Sequence, residues 1–226
     1  MIAIIAAMDS EVNAITSIME QTEKTSISGI HMTRGTLSGK KVIVMKSGVG
    51  KVNAAMSTTI LLENFVIEKV VNIGTAGGLK KEQEILDAVV SNRVCQHDFD
   101  TSPIDGDAGI GLYFDADEAL TKACVNVLEQ MQVTTHTGLV ATGDQFIAEE
   151  EKLKRLETVF PTAVCAEMEA GSIAQICTHY KVPFVVLRSL SDVAHRDDSH
   201  MDFLTYVEHA AARSATFCKA LMEALD

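Results

Sequence analysis

The sequence predicts an α/β fold, a three-layer αβα sandwich in which helices cover both faces of a central mixed, largely parallel sheet. Short apolar runs alternate along the chain with longer segments of helical periodicity. The apolar runs are continuous in Val, Ile and Leu, which is typical of strands buried on both faces. The length of 226 residues and the three prolines indicate one domain, residues 1–226, without a linker.

Each element of this sandwich is predicted from a local pattern. The apolar runs predict strands at 2–7, 41–46, 69–74, 88–94, 137–141, 162–166 and 183–190. The helical periodicity predicts helices at 9–20, 51–65, 116–131, 149–157, 168–180 and 203–224. A hairpin is predicted within 27–46, around the turn at Ser38 and Gly39. Residues 97–115 show neither period and predict a long loop, either a lid or binding segment or a mobile surface loop.

The charge balance restricts the partners. The chain carries 31 acidic and 19 basic residues, a formal charge of −12. This charge argues against nucleic acid and anionic membrane surfaces and favours a small neutral or zwitterionic ligand. The first apolar run follows no basic segment and has the length of a strand, and no run approaches the ~20 apolar residues that a bilayer requires. We therefore expect a cytoplasmic protein.

The cysteines and glycine turns exclude several chemistries. The five cysteines are an odd number without a close pair, which indicates reduced, buried thiols. Only Cys95, two residues before His97, has a candidate activating neighbour. The glycines at 48–51 and 74–78 lack the spacing of a P-loop or a dinucleotide fingerprint, which argues against ATP and NAD. The polar run 195–200 has metal-binding residue types, but loop charges are usually solvated, so we expect neither a metal nor an organic cofactor.

Chemically unusual residues follow several predicted strands. Glu11 comes just after the first strand, the glycine turn 74–78 ends the third, Glu169 follows the sixth and Asp192 ends the last. The carboxyl ends of parallel strands meet at one edge of a sheet, so these residues are expected to lie close together. The alternatives are acids that favour helix N-termini, a surface salt bridge and an ordinary tight turn.

Acids grouped in this way suggest cleavage of a C–N glycosidic bond. One acid would protonate the departing base, another carboxylate would activate water, and a third would hold ribose hydroxyls and stabilise positive charge. Glu11, Glu169 and Asp192 are the candidates. Phe146, which follows a strand and a glycine turn, could stack on the base or pack in the core.

The pattern resembles the nucleoside phosphorylase and nucleosidase superfamily, and within it most closely the 5′-methylthioadenosine/S-adenosylhomocysteine nucleosidases, over nearly the whole chain. Six segments in the same order carry the resemblance: Ile4–Val12, Ser47–Ala55, Asn72–Gly78, Gly143–Ile147, Ala166–Ala170 and Val182–Asp192. This chain departs from the family pattern in three places. It has Thr75 where serine is common in the family, Ala6-Ala7 where glycine is common, and residues 101–107 where an aromatic-bearing loop is usual.

The resemblance implies a nucleoside phosphorylase-like fold and roles for individual residues. Asp192, supported by Ser191, would donate a proton to adenine N7, Glu11 would activate water, and Glu169 would hold the ribose hydroxyls. The implied substrate-binding residues are Met8, Thr75, Ala76, Gly77, Phe146, Ile147, Glu167, Met168, Arg188, Ser191 and Phe203. The resemblance also implies a homodimer in which the 101–104 loop of the partner lies near the site.

The implied activity is hydrolysis of 5′-methylthioadenosine and S-adenosylhomocysteine, with 5′-deoxyadenosine as a further substrate. A phosphorylase would bind phosphate near the first strand end, where Asp9 and Glu11 would repel a dianion, so water is the expected acceptor. A purine nucleoside phosphorylase, a futalosine-type or inosine-type nucleosidase and a non-catalytic adenosine-binding protein remain the alternatives. The sequence leaves the preference among 5′ substituents open.

Overall fold

The computed structural model of the protein describes the backbone of residues 1–195 and 199–225, and the side chains of these residues except those of 199–202. The strands are β1 Ile2–Ala6, β2 Glu20–Ile27, β3 Ile30–Leu37, β4 Lys40–Lys46, β5 Lys69–Gly78, β6 Ala88–Asp100, β7 Ile110–Asp115, β8 Thr135–Thr142, β9 Ala163–Glu167 and β10 Phe184–Val193. The helices are α1 Asp9–Thr16, α2 Lys51–Asn64, α3 Ser102–Asp105, α4 Glu118–Gln130, α5 Glu150–Val159, α6 Ala170–Tyr180 and α7 Ser199–Ala224, with a 3₁₀ turn at Gly106–Gly109.

These strands form one mixed sheet that partly closes on itself. The order is β10-β6-β8-β9-β5-β1-β4-β3-β2, with β7 beside β6, and β10 also pairs with β5. The strands β4, β1, β5 and β10 run parallel, as do β6, β8 and β9. Short antiparallel pairings of β10 with β6 and of β5 with β9 join the two groups into a ring of five strands. Strands β1, β4, β3 and β2 continue from β5 as an open arm, and β7 extends the ring at β6.

Apolar packing on both faces holds the helices to the sheet. In β1, Ile4 packs with α1 and α7 on one face, while Ile5, the next residue, packs with α2 and α6 on the other. Both side chains are fully buried, and burial of one such side chain contributes about 1.5–3 kcal/mol. A smaller cluster on α5 covers the ends of β8 and β9. This arrangement explains why the strands read as continuous apolar runs.

The predicted elements are found, with a few differences. The prediction lacks two strands. Strand β2 is a mostly exposed edge strand without an apolar face, and β7 has only one buried residue among six. The prediction of a long loop at 97–115 is wrong, since β6 continues to Asp100 and β7 begins at Ile110. Helix α1 ends at Thr16, earlier than its apolar period suggested. No helix in the described part of the chain combines the length and the apolar character needed to span a membrane.

Candidate active site

A cleft lies at the carboxyl ends of β1, β5, β9 and β10, with a volume of about 740 Å³ when the open space at its mouth is included. Its lining includes, of the residues singled out from the sequence, Met8, Glu11, Thr75, Ala76, Gly77, Phe146, Ile147, Glu167, Met168, Glu169, Ser191, Asp192 and Phe203. Sequence reasoning missed Ala7, Val49, Leu79, Gln145, Ala166 and Ala194, which also line it. The missed residues are small, apolar or amide side chains with no chemical signature of their own.

Glu11 is fixed by three backbone donors. It lies in the first turn of α1, where its carboxylate reaches back to accept hydrogen bonds from the backbone N–H groups of Ala7 (2.9 Å) and Met8 (3.0 Å). The other oxygen accepts from the backbone N–H of Thr75 at 3.0 Å. A carboxylate offers about four acceptor positions, so three donors leave one for a water or a substrate hydroxyl. Glu11 is 1% exposed.

Asp192 reaches the cleft because β10 contains a bulge. Leu190 pairs with Ala76 and Asp192 pairs with Gly77, so Ser191 is an extra residue in the ladder. As a result Ser191 and Asp192 both line the cleft although they are neighbours in a strand. The Ser191 hydroxyl donates to Asp192 Oδ1 at 2.9 Å. A Cβ at Gly77 would lie only 2.9 Å from Asp192 Oδ2, so the glycine lets the carboxylate approach β5.

Glu169 is a buried carboxylate at the start of α6. Its Oε1 accepts a hydrogen bond from the backbone N–H of Gly50 at 2.9 Å, and its Oε2 lies 4.0 Å from Arg188 Nη2. Burial, reinforced by the neighbouring negative charge of Glu167, raises the pKa of Glu169 to about 7. The carboxyl group therefore changes its protonation state near neutral pH.

Arg188 lies behind the cleft and does not line it. Its guanidinium donates to the Ile73 carbonyl, to Asn72 Oδ1 (both 2.8 Å) and to Glu167 Oε2 (2.6 Å). Glu167 Oε2 also accepts from the backbone N–H groups of Glu169 (3.0 Å) and Ala170 (2.8 Å), which close the first turn of α6. Burial alone would lower the pKa of Arg188, but the surrounding carboxylates outweigh it and raise this pKa. Arg188 thus holds the Glu167 carboxylate, and with it the first turn of α6, in place from behind the cleft.

Gly74 makes room for this arrangement. It has φ of +154°, and a Cβ built on it would lie 2.1 Å from Arg188 Nη1 and 2.8 Å from Glu11 Oε1. The buried hydroxyl of Ser214, on α7, contacts both the N–H and the carbonyl of Gly74 at 3.2 Å. A side chain at position 74 would displace the guanidinium that supports Glu167.

The cleft has carboxylates at its floor and apolar side chains along its walls. Glu11, Glu167, Glu169 and Asp192 line it, and no lysine or arginine does so among the described residues. At the rim, Phe146 is 38% exposed, with its ring 5.5 Å from that of Phe203 at an angle of 70°. Such a site suits a ligand with a flat apolar part and a region that gains positive charge.

The described side chains form neither a metal centre nor a reactive thiol. Among the described side chains, those of residues 1–195 and 203–225, no three of His, Cys, Asp or Glu are grouped closely enough to hold an ion. The polar run 195–200 lies largely outside the described residues, and His195 contacts Glu157 at 3.1 Å. All five cysteines are free and buried, as expected, and burial raises the pKa of Cys95 to about 12. Cys95 is therefore protonated at neutral pH.

Comparisons with known proteins identify the family of the chain. Residues 1–223 match the model of the phosphorylase superfamily. A 5′-methylthioadenosine/S-adenosylhomocysteine nucleosidase of Bacillus thuringiensis (strain Al Hakam) is 40% identical over 231 aligned residues, 99% of each chain. The crystal structure of such a nucleosidase from Colwellia psychrerythraea 34H, in complex with adenine, is 36% identical with a TM-score of 0.94, over 99% of this chain and 95% of that one.

A further solved structure, described as futalosine hydrolase of Helicobacter pylori strain 26695, has a TM-score of 0.92 and 31% identity, over 99% of this chain and 97% of that one. The likeness to these structures confirms the predicted α/β class with a central sheet flanked by helices. The chain belongs to the phosphorylase superfamily and, within it, to the 5′-methylthioadenosine/S-adenosylhomocysteine nucleosidases.

Proposed function

We propose that the protein hydrolyses the N-glycosidic bond of 5′-methylthioadenosine and S-adenosylhomocysteine, and also of 5′-deoxyadenosine. The products are adenine and the 5-substituted ribose. The observation that carries this proposal is the convergence of Glu11, Glu169 and Asp192 on one cleft. The relatives that share this chain's fold over nearly its full length support the substrate class.

In this proposal Asp192 protonates the leaving adenine at N7. The base departs more readily as a neutral molecule than as an anion, so a proton delivered to the ring lowers the barrier. The Ser191 hydroxyl holds Oδ1 of the carboxyl group at 2.9 Å, and the bulge in β10 aims the side chain into the cleft. Ser191 would therefore orient the acid, and Asp192 would carry the proton.

Glu11 would act as the base that activates water. As the C1′–N bond lengthens, water attacks C1′ from the opposite face of the ribose and gives a proton to the carboxylate. The backbone donors at Ala7, Met8 and Thr75 keep the carboxylate fixed, so no side-chain reorganisation is needed at the moment of attack.

The acidic lining would stabilise the positively charged ribosyl transition state. Two opposite charges 4 Å apart interact by about 4 kcal/mol at an effective dielectric constant near 20, and such a gain is worth about a thousandfold in rate. Glu169 would accept hydrogen bonds from the ribose 2′ and 3′ hydroxyls, with Met168 beneath the sugar and Met8 and Thr75 beside it. The same acidic lining disfavours a phosphate dianion as the acceptor.

The base would lie against Phe146, with the backbone of Ile147 reading its edge. Phe146 is partly exposed at the rim, so it offers a ring face to a ligand without first leaving the core. Phe203 supports it edge to face. Ala76 and Gly77 place no bulky side chain in the way of the ligand on the β5 side.

The deciding assay incubates purified protein with each nucleoside in phosphate-free buffer and follows adenine by chromatography. We expect adenine without added phosphate, and no release by the isosteric variant Asp192→Asn. Adenine that appears only after phosphate is added would make the protein a phosphorylase. Tight adenosine binding without turnover would make it a binding protein, and full activity of Asp192→Asn would overturn the assignment of the proton donor.

A second candidate activity is suggested by the similar structure described as a futalosine hydrolase. A futalosine-type or inosine-type nucleosidase would release hypoxanthine in the same cleft by the same steps. The two nucleobases differ at position 6, which carries an amino group in adenine and an oxygen in hypoxanthine. Parallel incubations with both classes of nucleoside separate the candidates.

We further propose that the protein is a single-domain, cytoplasmic homodimer in which residues 101–104 of one subunit approach the cleft of the other. Ile104 is 87% exposed and Val52, on α2, is 77% exposed. Met56, one helical turn after Val52, is also 48% exposed, and adjoining exposed apolar side chains mark a surface that contacts another protein. Ile104→Glu should reduce the mass measured by light scattering towards that of a monomer, whereas a monomeric parent protein would contradict the proposal.

A further inference from the structure

Three charged residues beside the cleft form a closed set of hydrogen bonds, which we call the clasp: Lys51, Asp98 and Asp144. Lys51 Nζ lies 2.6 Å from Asp98 Oδ1. The backbone N–H of Lys51 donates to Asp144 Oδ1 at 2.7 Å, and the backbone N–H of Asp144 donates to Asp98 Oδ2 at 3.0 Å. The clasp therefore ties together the start of α2, the end of β6 and the loop after β8.

Within the clasp, the ion pair of Lys51 and Asp98 is partly buried, whereas Asp144 is exposed. The side chains of Lys51 and Asp98 are 20% and 23% exposed. Burial opposes the ionised form of Asp98, but the bonds from Lys51 and from the Asp144 backbone outweigh it and lower the pKa of Asp98. Hydrogen bonds with an ionised partner are about twice as strong as neutral ones. Its partial burial sets the Lys51–Asp98 pair apart from the exposed ion pairs elsewhere on the surface.

Both ends of the clasp continue into the cleft. Gly50, next to Lys51, donates its N–H to Glu169 Oε1 at 2.9 Å. Phe146 follows Asp144 by two residues and lines the cleft. Gly50 has φ of +92°, and a Cβ there would lie 3.1 Å from Asp144 Oδ1, so a glycine at this position lets the two loops meet. None of the three clasp residues is part of the cleft lining.

We propose that Lys51 and Asp98 are positioning residues. They hold the loop 143–147, which carries the base-stacking Phe146, at a fixed distance from Glu169, the carboxylate that binds the ribose hydroxyls. The inference rests on the proposed function, because it assigns the roles of Phe146 and Glu169 from it. The clasp acts through the backbone of Gly50 and Asp144. Without the clasp, Phe146 can move relative to Glu169. The nucleoside then has to order both side chains on binding, and this loss of entropy lowers the affinity.

The experiment compares Lys51→Met, Asp98→Asn and the double variant with the parent protein. We expect each single variant to weaken adenine binding, measured by calorimetry, and to raise KM, both about tenfold. We expect kcat to change less than threefold and the melting temperature to stay within a few degrees. The double variant should be no worse than the poorer single variant, because the two residues form one unit. Lys51→Arg should restore most of the affinity.

Hydrogen exchange of the ligand-free protein tests the same idea without catalysis. Amides at 48–51 and 143–147 should exchange faster in both single variants, with the rest of the chain unchanged. The matched control removes an exposed pair of similar length, Arg34 and Glu23, which are 2.8 Å apart on the β2–β3 hairpin. Arg34→Met should leave exchange in these loops, affinity and KM as in the parent protein.

Several outcomes overturn the proposal. These are unchanged exchange in the two loops, faster exchange with unchanged adenine affinity, or a uniform loss of kcat, affinity and melting temperature. If the parent protein releases no adenine, the proposed function fails, but exchange in the loops still decides whether the clasp holds them. An active parent protein with unaffected variants refutes the clasp alone.

Discussion

Replacement of Glu169 by glutamine should stabilise the folded protein at alkaline pH while impairing turnover. Glu169 is 6% exposed. Burial, together with the charge of Glu167, raises its pKa to about 7, against 4.5 for an unperturbed glutamate. The folded protein therefore binds this proton more tightly than the unfolded chain does, and ionisation of the group costs free energy of folding.

The size and the pH range of this cost follow from the two pKa values. Each pKa unit corresponds to about 1.36 kcal/mol, so the difference amounts to about 3 kcal/mol. The stability that the protonated form provides is fully present below pH 4.5 and is lost as the pH rises through about 7. Glutamine carries no charge at any pH, and its amide oxygen can still accept the hydrogen bond from Gly50.

Urea unfolding at several pH values, at one protein concentration, measures the effect. We expect Glu169→Gln to exceed the parent protein in free energy of unfolding by up to about 3 kcal/mol at pH 8, with the difference vanishing near pH 4.5. Its turnover should fall, since the ribose hydroxyls lose a charged acceptor. The control Glu150→Gln removes a fully exposed carboxylate whose pKa is lowered by Lys154, and should show no such gain. A difference that is independent of pH, or a variant less stable at pH 8, would refute the reasoning.

Three further substitutions test the support of the acidic wall and the base-binding rim. Gly74→Ala places a Cβ 2.1 Å from the Arg188 guanidinium and should lower the free energy of unfolding by more than about 2 kcal/mol. The control Gly29→Ala lies in open space at φ of +79° and should lower it by only about 1–2 kcal/mol. Arg188→Met leaves Glu167 buried without its cation and should cost about 3–5 kcal/mol in urea unfolding, much of which adding Glu167→Gln should recover. Phe146→Ala removes the stacking ring and should weaken adenine binding in calorimetry by about 1–3 kcal/mol with little change in melting temperature. Unchanged adenine affinity in Phe146→Ala would argue against the stacking role.

The sequence predicts the sheet and the edge that carries the cleft because both depend on local patterns. Continuous apolar runs mark strands buried on both faces, and acids directly after such runs fall at the carboxyl edge of a parallel sheet. Glu11, Glu169 and Asp192 stand out in this way. Strand β2 does not, since its exposed polar residues carry no apolar period.

Other features depend on contacts between distant segments and leave no local signal. The ring of strands closes through a pairing of only two residues of β5 with β9. Arg188 was grouped with the substrate-binding residues, but its side chain turns behind the wall towards Asn72. The bond from Gly50 to Glu169 uses a backbone N–H, which every residue except proline possesses. No composition or spacing distinguishes such a donor.

The closed ring of strands also determines which parts of the molecule can move to admit a ligand. Strand β10, which carries Asp192, is hydrogen-bonded on one side to β5 and on the other to β6, and it is buried along its whole length. Moving β10 out of the ring would break two ladders at once. Entry and exit of the nucleoside therefore fall to the rim, where Val49 and Phe146 are partly exposed. The catalytic carboxylates and the residues that control ligand entry thus lie in separate parts of the chain. Substitutions at the rim can therefore change the rates of ligand binding and release while the carboxylates stay in place.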